Sequence, residues 1–492
     1  MNRRILSLAL PNIVTNITVP LLGMVDMAIV GHLSGDHIGA ISIGAAIFNL
    51  IYWNFGFLRM GTSGFAAQAF GAERWEETVR ILIRAAVIAL TIALLLILLQ
   101  YPISLTVPHI FEGSHKVLTL ALIYFSVRIW AAPATLGLYA IKGWFIGMQN
   151  ARIPMWIAII LNCVNIVASL LFVLVLHWDI FGVALGTVIA NYTGLALGIV
   201  FLRRRIRALP PLPPFATLLR QSLHWDELKV FFKVNTDIFL RTVCLSAVFT
   251  FITAASSHIS PTILAVDALL LQFFTLFSYV MDGFAYAGES LVGRYIGAQQ
   301  SRQLKLAVRR LLLWGLILTV AFTALYAACG DWILRIFTDK DDIIKASGDY
   351  MGWILAIPVC GFAAFLFDGI FVGATASRTM RNAMFIATAA FFAIYYGLTY
   401  FNRINGTLSD QRWNNILWIA FMVYLSLRGI LQGLRLKKDI YLKRKKHFLS
   451  FSSSCRRPPG RNNPSHPRGL PWASCCRAAE QKGWHTSQHC AP

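Results

Sequence analysis

The chain has 492 residues, of which 57% are hydrophobic and only 13% are charged, and its formal net charge is +22. A soluble globular protein carries roughly 25% charged residues, so the composition excludes that class and indicates an integral membrane protein. The positive charge does not indicate nucleic-acid binding, because half of it lies in residues 435–492 and most of the rest lies in short connections between apolar runs. The lipid bilayer is therefore the expected partner, and no nucleic acid is expected.

Twelve apolar runs follow one another along the chain, each of about 20–28 residues and thus able to cross a hydrocarbon core ~30 Å thick. Backbone polar groups cannot stay unpaired in lipid, so each run is predicted to be a helix and the fold to be all-α. The predicted spans are residues 5–30, 38–62, 80–101, 118–146, 153–176, 181–202, 229–255, 262–287, 306–328, 346–373, 380–400 and 414–432.

Lys and Arg are distributed unevenly between the two sets of connections. The amino end and the even-numbered connections hold nineteen of them, whereas the odd-numbered connections hold six. Short connections that are rich in Lys and Arg stay on the cytoplasmic side of a membrane. Both termini are therefore predicted to face the cytoplasm.

The two halves of the chain resemble each other when the sequence is shifted by 226 residues. FGAERWEE at 70–77 then aligns with IGAQQSRQ at 296–303, and YAIKGWFIG at 139–147 aligns with FLFDGIFVG at 365–373. Six spans per repeat is an even number, so both halves enter the membrane in the same sense. Parallel repeats of this kind place a substrate site at their interface.

The predicted architecture is therefore two pseudo-symmetric six-helix lobes, residues 1–203 and 229–432. The segment between them, 204–228, is basic and rich in proline, which is typical of a cytoplasmic linker. Residues 433–492 are polar and basic without periodicity, and we expect a disordered tail that is not native to the fold.

An acidic residue, Asp26, lies in the middle of the first span. It shares one helix face with four small or polar neighbours at steps of 3 and 4, namely Asn12, Asn16, Val19 and Gly23. Pro20 removes a helix hydrogen bond there, so a bend is expected beside the carboxyl. Ionisable residues inside a membrane indicate functional sites, although a structural carboxyl remains the alternative. Burial disfavours the charged form and a bound cation favours it, so Asp26 is predicted to exchange a small ion.

Polar residues on the fifth and sixth spans are candidates to complete this ion site. Asn165 and Ser169 lie one turn apart on the fifth span, and Thr187 lies on the sixth. A Na⁺ ion would need such additional oxygen ligands, whereas a proton needs only the carboxyl. Ordinary hydrogen bonding between helices, as for Asn162 and Asn191, is the alternative.

The second half carries its own polar stripe. Five residues fall on one face of the eighth helix, within roughly 80° at about 100° per residue: Asp267, Thr275, Ser278, Asp282 and Glu289. Such a stripe suits a cationic substrate or a second proton relay, and snorkelling of its end residues to water is the alternative. We assign four residues of the stripe, together with Asn16 and Pro20, to a substrate cavity: Asp267, Ser278, Asp282 and Glu289.

Arg59 is interpreted as the only cation deep in the spans, and it also belongs to this predicted cavity. We expect it to pair with an acid of the stripe. Lys142 and Asp368 occupy equivalent positions in the two repeats, near inner helix ends, and a role in stabilising the fold is expected for both.

Several catalytic signatures are absent from the sequence. It contains no G-x-x-x-x-G-K-[ST] loop for nucleotide phosphates, no H-E-x-x-H and no G-x-S-x-G. The chain is therefore predicted not to be an enzyme and to need no cofactor or metal. A transporter driven by an ion gradient is the remaining class.

Five segments together carry a resemblance to a known family: LALPNIVTNITVPLLGMVDMAIVGHL (8–33), FLRMGTSGFAAQAFGA (57–72), GVALGTVIA (182–190), GESLVGRYIGA (288–298) and FDGIFVGATASRTMRNAM (367–384). They resemble the multidrug and toxic compound extrusion family, most closely its DNA-damage-inducible protein F branch. The resemblance covers residues 5–432 and implies a twelve-helix, two-lobed antiporter that exports organic cations and amphiphiles against H⁺ or Na⁺.

The resemblance also implies roles for single residues. Asp26 matches the acid of the first helix that couples transport to the ion, and Thr187 matches a threonine of the sixth helix. The family pattern N-I-x-x-D of the fifth helix reads NIVAS here, so Asn165 matches but Ser169 replaces the acid. This substitution favours H⁺ over Na⁺.

The expected function is alternating-access antiport of cationic or amphiphilic compounds against H⁺, in a bacterial inner membrane, by a monomer. A flippase for a lipid-linked precursor is the alternative, since such proteins have a similar helix arrangement. An anionic pyrophosphate would need a cavity with several Arg and Lys, and the deep acids outnumber Arg59 in the sequence, which favours cationic cargo.

Overall fold

The computed structural model describes residues 1–31, 34–111, 114–404, 406 and 409–442, without the side chains of residues 19, 21 and 22. Twelve helices in these ranges are long and apolar enough to cross a membrane, which confirms the predicted span count. We number them α1 (Asn2–Gly31), α2 (Gly35–Gly71), α3 (Trp75–Leu98), α4 (His115–Gly147), α5 (Arg152–Val175), α6 (Asp179–Arg207), α7 (Trp225–Ile259), α8 (Pro261–Gly297), α9 (Ser301–Phe337), α10 (Met351–Gly373), α11 (Ser377–Ile404) and α12 (Asp410–Leu442).

Four of these helices depart from a single regular α-helix: α5 and α12 end in π-helical turns, Leu171–Val175 and Lys437–Leu442, and α2 and α4 are interrupted inside the span. In α2, a turn at residues 55–56 separates Gly35–Asn54 from Phe57–Gly71. In α4, a 3₁₀ turn at Ile129–Ala131 precedes Pro133. In α1, Pro11 and Pro20 both lie inside one uninterrupted helix. Three shorter helices, Gln100–Ile110, Phe215–Ser222 and Asp341–Gly348, lie in the connections, the second of them inside the predicted linker.

The carboxyl end of α12 extends beyond its predicted limit. The disordered tail is predicted to begin at residue 433, but the chain is helical to Leu442. Ile440 is buried and the Thr379 hydroxyl donates to Asp439, so tertiary packing extends the helix. Residues 443–492 lie outside the described residues.

Each half of the chain has its own hydrophobic core. Phe48, Tyr124 and Trp144 belong to the first core, and Phe273 and Trp418 belong to the second. Three segments are exceptions. The start of α1 contributes Ile5, Leu8 and Ala9 to the second core, the connection before α5 contributes Ala151 to it, and the start of α7 contributes Phe231 to the first core. The two six-helix lobes therefore contribute residues to each other's cores.

Backbone geometry confirms the internal repeat. Glu73 and Gln299 both have positive φ, 57° and 56°, and they are 226 residues apart. Gln149 and Thr375, with φ of 63° and 51°, are separated by the same interval. Few residues other than glycine adopt such angles. These two pairs of turns at equivalent positions therefore show that the two lobes share the same backbone conformation there.

The lobes meet where helix ends approach each other closely. A Cβ atom on Gly71 of α2 would lie 1.9 Å from the Arg294 carbonyl oxygen of α8, and one on Gly297 would lie 1.9 Å from the Gln68 carbonyl oxygen. Gly71 and Gln68 are the repeat equivalents of Gly297 and Arg294, so the two contacts are related by the pseudo-two-fold axis. Only glycine permits this approach.

Side chains add hydrogen bonds to this contact region, which we call the seam. Gln149 Nε2 donates to the Ser290 carbonyl oxygen over 2.8 Å, and the Ser290 hydroxyl donates to the Ile146 carbonyl oxygen over 2.7 Å. Gln68 Nε2 donates to the Gly373 carbonyl oxygen over 2.8 Å. The seam therefore lies toward the face that carries the connections at 72–74, 148–151, 298–300 and 374–376.

Gly297→Ala should destabilise the protein by about 1–3 kcal/mol, since the added methyl group overlaps the backbone of the facing lobe. Gly397→Ala is the matched control, because no atom lies within 4 Å of the Cβ position in that helix. Thermal unfolding in detergent micelles would measure both. Equal melting temperatures for the two variants would contradict the close approach at the seam.

Candidate functional site

Asp26 lies inside the first lobe, where its carboxyl group is 4% exposed. The candidate partners predicted from sequence gather in the same lobe: Asn165 and Ser169 on α5 are fully buried, and Thr187 on α6 is 2% exposed. Asn165 Nδ2 donates to Thr187 Oγ1 over 3.0 Å, and the Ser169 hydroxyl neighbours the Asp26 carboxyl. The carboxyl therefore faces protein and not lipid.

Three buried oxygen atoms in this pocket lack a partner among the described residues. They are Asp26 Oδ1, Asn165 Oδ1 and Ser169 Oγ. Buried polar atoms are almost always hydrogen-bonded, and an unpaired one costs about 1–3 kcal/mol. Three such atoms in one pocket indicate a site that receives a proton, a cation or water.

Arg128 on α4 completes the electrostatics of this pocket, and the sequence analysis missed it. Its guanidinium group donates to the Tyr124 hydroxyl and lies 4.8 Å from the centre of the Phe48 ring. Its charge acts on Asp26, although no carboxylate within the described residues lies close enough for an ion pair with it. In the sequence, Arg128 could have been identified as the lone Arg in the middle of the fourth apolar run.

Two other predicted residues of α1 have different places. Asn16 is half-buried and its Nδ2 donates to the Tyr279 carbonyl oxygen of α8 over 3.0 Å, so it ties α1 to the second lobe. Pro20 is half-buried on the same helix. Asn162 Nδ2 donates to the Thr18 carbonyl oxygen, which is the ordinary interhelical hydrogen bond considered as its alternative.

The stripe of α8 is not a single cavity face. Asp267 is 1% exposed, and its carboxylate accepts hydrogen bonds from Ser256, from Asn414 Nδ2 over 2.9 Å and from Trp418 Nε1 over 2.8 Å. Three donors from α7 and α12 thus enclose the carboxylate inside the second lobe, and these contacts do not support its predicted assignment to the substrate cavity. Ser278 is also largely buried and donates to the Thr275 carbonyl oxygen.

The other half of the stripe faces the first lobe. Arg59 Nη1 lies 3.4 Å from Glu289 Oε2, and the Arg59 guanidinium carbon lies 4.0 Å from the centre of the Tyr286 ring. Glu289, across the lobe boundary, is therefore the acid of the stripe that pairs with Arg59, as predicted. Asp282 is half-buried and, within the described part of the chain, has neither a hydrogen bond nor an ion pair.

A second charged network surrounds Asp368 on α10. Its carboxylate pairs with Arg241 of α7, with Arg428 Nη2 of α12 at 2.7 Å, and with Gln432 Nε2 at 2.8 Å. The interpretation of Arg59 as the only deep cation is therefore wrong. Arg241 and Arg428 lie within predicted apolar runs, as Arg128 does. They were not predicted as deep cations because a long apolar run can contain one charged residue and still be predicted as a span. Several arginines therefore lie deep in the spans, and a shortage of deep cations no longer disfavours an anionic cargo.

Asp368→Asn should lower the free energy of unfolding by about 3–5 kcal/mol, because it leaves two buried arginines without their acid. Asp282→Asn should change it by much less, since that carboxylate has no close partner in the described chain. Thermal or denaturant unfolding of both variants in the same detergent tests the contrast. A similar loss in the two would contradict the assignment of Asp368 to a structural network.

Comparison with known proteins gives an independent result. The MatE family model matches this chain twice, over residues 11–171 and 238–399. The two matches begin 227 residues apart, close to the interval of the internal repeat. The family model therefore recognises each lobe separately and covers more than half of the chain.

Individual proteins agree with this match. The chain is 34% identical over 426 residues to DNA damage-inducible protein F of Escherichia coli (strain K12), covering 86% of this chain and 89% of that protein. It is 25% identical over 363 residues to Multidrug and toxin extrusion protein 1 of Homo sapiens, covering 70% of this chain and 59% of that protein.

Solved structures share the fold at lower identity. A MATE crystal structure in the bent conformation superimposes with a TM-score of 0.79 at 18% identity, covering 91% of this chain and 96% of the other. A MATE family multidrug resistance transporter in an outward-facing conformation gives a TM-score of 0.75 at 17% identity, covering 90% and 96%. The arrangement of the twelve helices is thus shared across these proteins.

Proposed function

This chain belongs to the MatE family, it is a multidrug and toxin efflux transporter and not an enzyme, and we propose that it exchanges its cargo for protons by alternating access. Cationic and amphiphilic compounds are the proposed cargo. We place the protein, as a monomer, in a bacterial inner membrane, by analogy with the Escherichia coli relative. The pocket around Asp26 is the observation that carries the proposal of proton coupling.

Proton coupling follows from the charges in that pocket. Among the residues described around this pocket, Asp26 carries the only carboxylate. The positive charge of Arg128 acts on that carboxylate. A Na⁺ ion would add a second positive charge beside the guanidinium group, in surroundings where the dielectric constant is low and repulsion is strong. A proton neutralises the carboxyl without requiring further ligands. Ser169 supplies a hydroxyl where a second acid would favour a metal cation.

The orientation of the protein follows from its basic connections. The connections near the seam belong to the set that carries most Lys and Arg, including Arg74, Arg152, Arg302 and Arg378. These residues favour the cytoplasmic side. We therefore assign the seam and both termini to that side, so the conformation described here is closed toward the cytoplasm and the lobes would open outward.

Arg59 and Glu289 would then close the inner gate. They lie in different lobes, and Glu289 is only 1% exposed, so their separation would leave a buried charge unpaired. Opening toward the cytoplasm must break this pair together with the seam contacts. Cargo and proton binding would shift the balance between the two arrangements by their differential affinity.

Asp26→Asn should abolish efflux driven by a pH gradient, because an amide cannot exchange a proton, while folding and insertion should be unaffected. Reconstituted proteoliposomes with an imposed ΔpH or ΔNa⁺, applied separately, would measure transport of a fluorescent organic cation. Asp36→Asn is the matched control, since Asp36 is partly exposed and pairs with Lys116 at the surface. Retained ΔpH-driven efflux in Asp26→Asn, or wild-type transport driven only by ΔNa⁺, would overturn proton coupling through this residue.

Glu289→Gln should loosen the seam. A cysteine placed at the fully buried Ser63 would report the change through faster labelling by a water-soluble maleimide, in a background without native cysteines. Asp237→Asn is the control, because it removes an ion pair with Arg381 inside one lobe. Equal labelling rates in Glu289→Gln and the parent would show that the pair does not hold the gate.

A further inference from the structure

Lys142 is a cation that the mechanism above leaves unused. It lies on α4, half-buried, one turn from Tyr139 and two turns from Thr135, and these three residues form a polar stripe on a helix face that is otherwise largely buried. Within the described residues, Lys142 has no hydrogen bond and no ion pair. A charged side chain inside a span normally faces a water-filled cavity and has a partner.

The position of Lys142 is fixed by its neighbour Gly143. A Cβ atom on Gly143 would lie 2.4 Å from the Arg59 carbonyl oxygen, so α4 and α2 touch at the level of Arg59. The Arg59 charge is engaged by Glu289 of the other lobe. The Arg59 charge also acts on Lys142, so Lys142 lies near the lobe boundary, beside a cation whose acid is already taken. The Arg59 charge acts on both Lys142 and the half-buried Asp282, so the three groups lie near one another, and we call them the inter-lobe cluster.

The internal repeat provides a comparison within the same molecule. Asp368 is the repeat equivalent of Lys142, and its charge is neutralised by Arg241, Arg428 and the Gln432 amide. A structural charge at this position thus comes with three partners supplied by the protein. Lys142 has none of these in the described chain, so the expected role in stabilising the fold does not account for it.

An anion supplied from outside the protein would satisfy this lysine. We propose that Lys142 binds the anionic head group of an amphiphilic cargo, a carboxylate, sulfonate or phosphate, at the inter-lobe cluster. The Asp282 carboxylate of the same cluster forms no hydrogen bond or ion pair within the described chain, although the charges of Arg241 and Arg59 act on it, and it would receive a cationic group. The cargo range would then include anionic and zwitterionic amphiphiles beside organic cations. This inference rests on the proposed efflux function and extends its substrate class.

Binding measurements with a matched pair of probes would test the proposal. The probes are two dansyl amphiphiles with the same alkyl chain, one ending in a sulfonate and the other in a trimethylammonium group, titrated against the full-length protein in lipid nanodiscs without any gradient. Lys142→Met should weaken sulfonate binding by about tenfold or more, the effect of losing one charge-assisted hydrogen bond. It should strengthen trimethylammonium binding, because a repelling charge is removed.

Two further variants keep the result interpretable. Lys142→Arg retains the charge and should keep sulfonate affinity within a few-fold of the parent. Lys116→Met removes an exposed lysine that pairs with Asp36, and should change neither affinity. Thermal unfolding of Lys142→Met should match the parent, because no partner in the described chain loses its contact.

The outcomes separate this inference from the proposed function. Absence of sulfonate binding to the parent, undiminished binding to Lys142→Met, or an equal loss for both probes would overturn the anionic subsite. Efflux of the trimethylammonium probe driven by ΔpH would persist in that case. Lys142-dependent sulfonate binding without efflux of either probe would support the subsite and contradict the transport proposal.

Discussion

The close approach of helix ends across the seam is the constraint on which the rest of the structure depends. Gly71 and Gly297 admit a carbonyl oxygen of the facing lobe to a distance that no side chain allows. Backbone contacts of this kind are short and leave no room for partial separation, so the lobes are either packed at the seam or apart. A contact of this kind suits the two discrete arrangements that the proposed alternating access requires.

The lobes share a backbone but differ in charge, and the differences lie where chemistry is expected. Arg59 and Glu289 form the pair across the boundary, whereas their repeat equivalents are Ala285 and Ser63. Lys142 and Asp368 are likewise equivalent positions of opposite charge. Pseudo-symmetry relates the two bodies by one axis, and their side chains break that symmetry at positions that the proposed mechanism uses.

The intramembrane acids also divide into separate roles. Asp368 and Asp267 are enclosed by donors and stabilise the second lobe, whereas Asp26 keeps an oxygen without a partner among the described residues. Only a carboxyl that is not fully engaged can gain and lose an ion during a cycle. One proton moving down a membrane potential delivers about 2.3 kcal/mol per 100 mV, besides the concentration term. This energy is comparable to the cost of breaking one buried ion pair such as that between Arg59 and Glu289.

The sequence by itself determined the membrane class, the twelve spans, the repeat interval and the family, because run length, hydrophobicity and spacing are local properties that lipid enforces directly. It also placed Asp26, Asn165, Ser169 and Thr187 on helix faces that the structure brings into one lobe. Only the tertiary structure decided which charges are paired. Asp267 and Glu289 share a helix, yet one is enclosed by α12 and the other meets Arg59 of the opposite lobe. Arg241 and Arg428 are present in the sequence of their apolar runs, but their partner, Asp368, lies on another helix. The energy of a buried charge depends on those partners, so its role cannot be read from one helix alone.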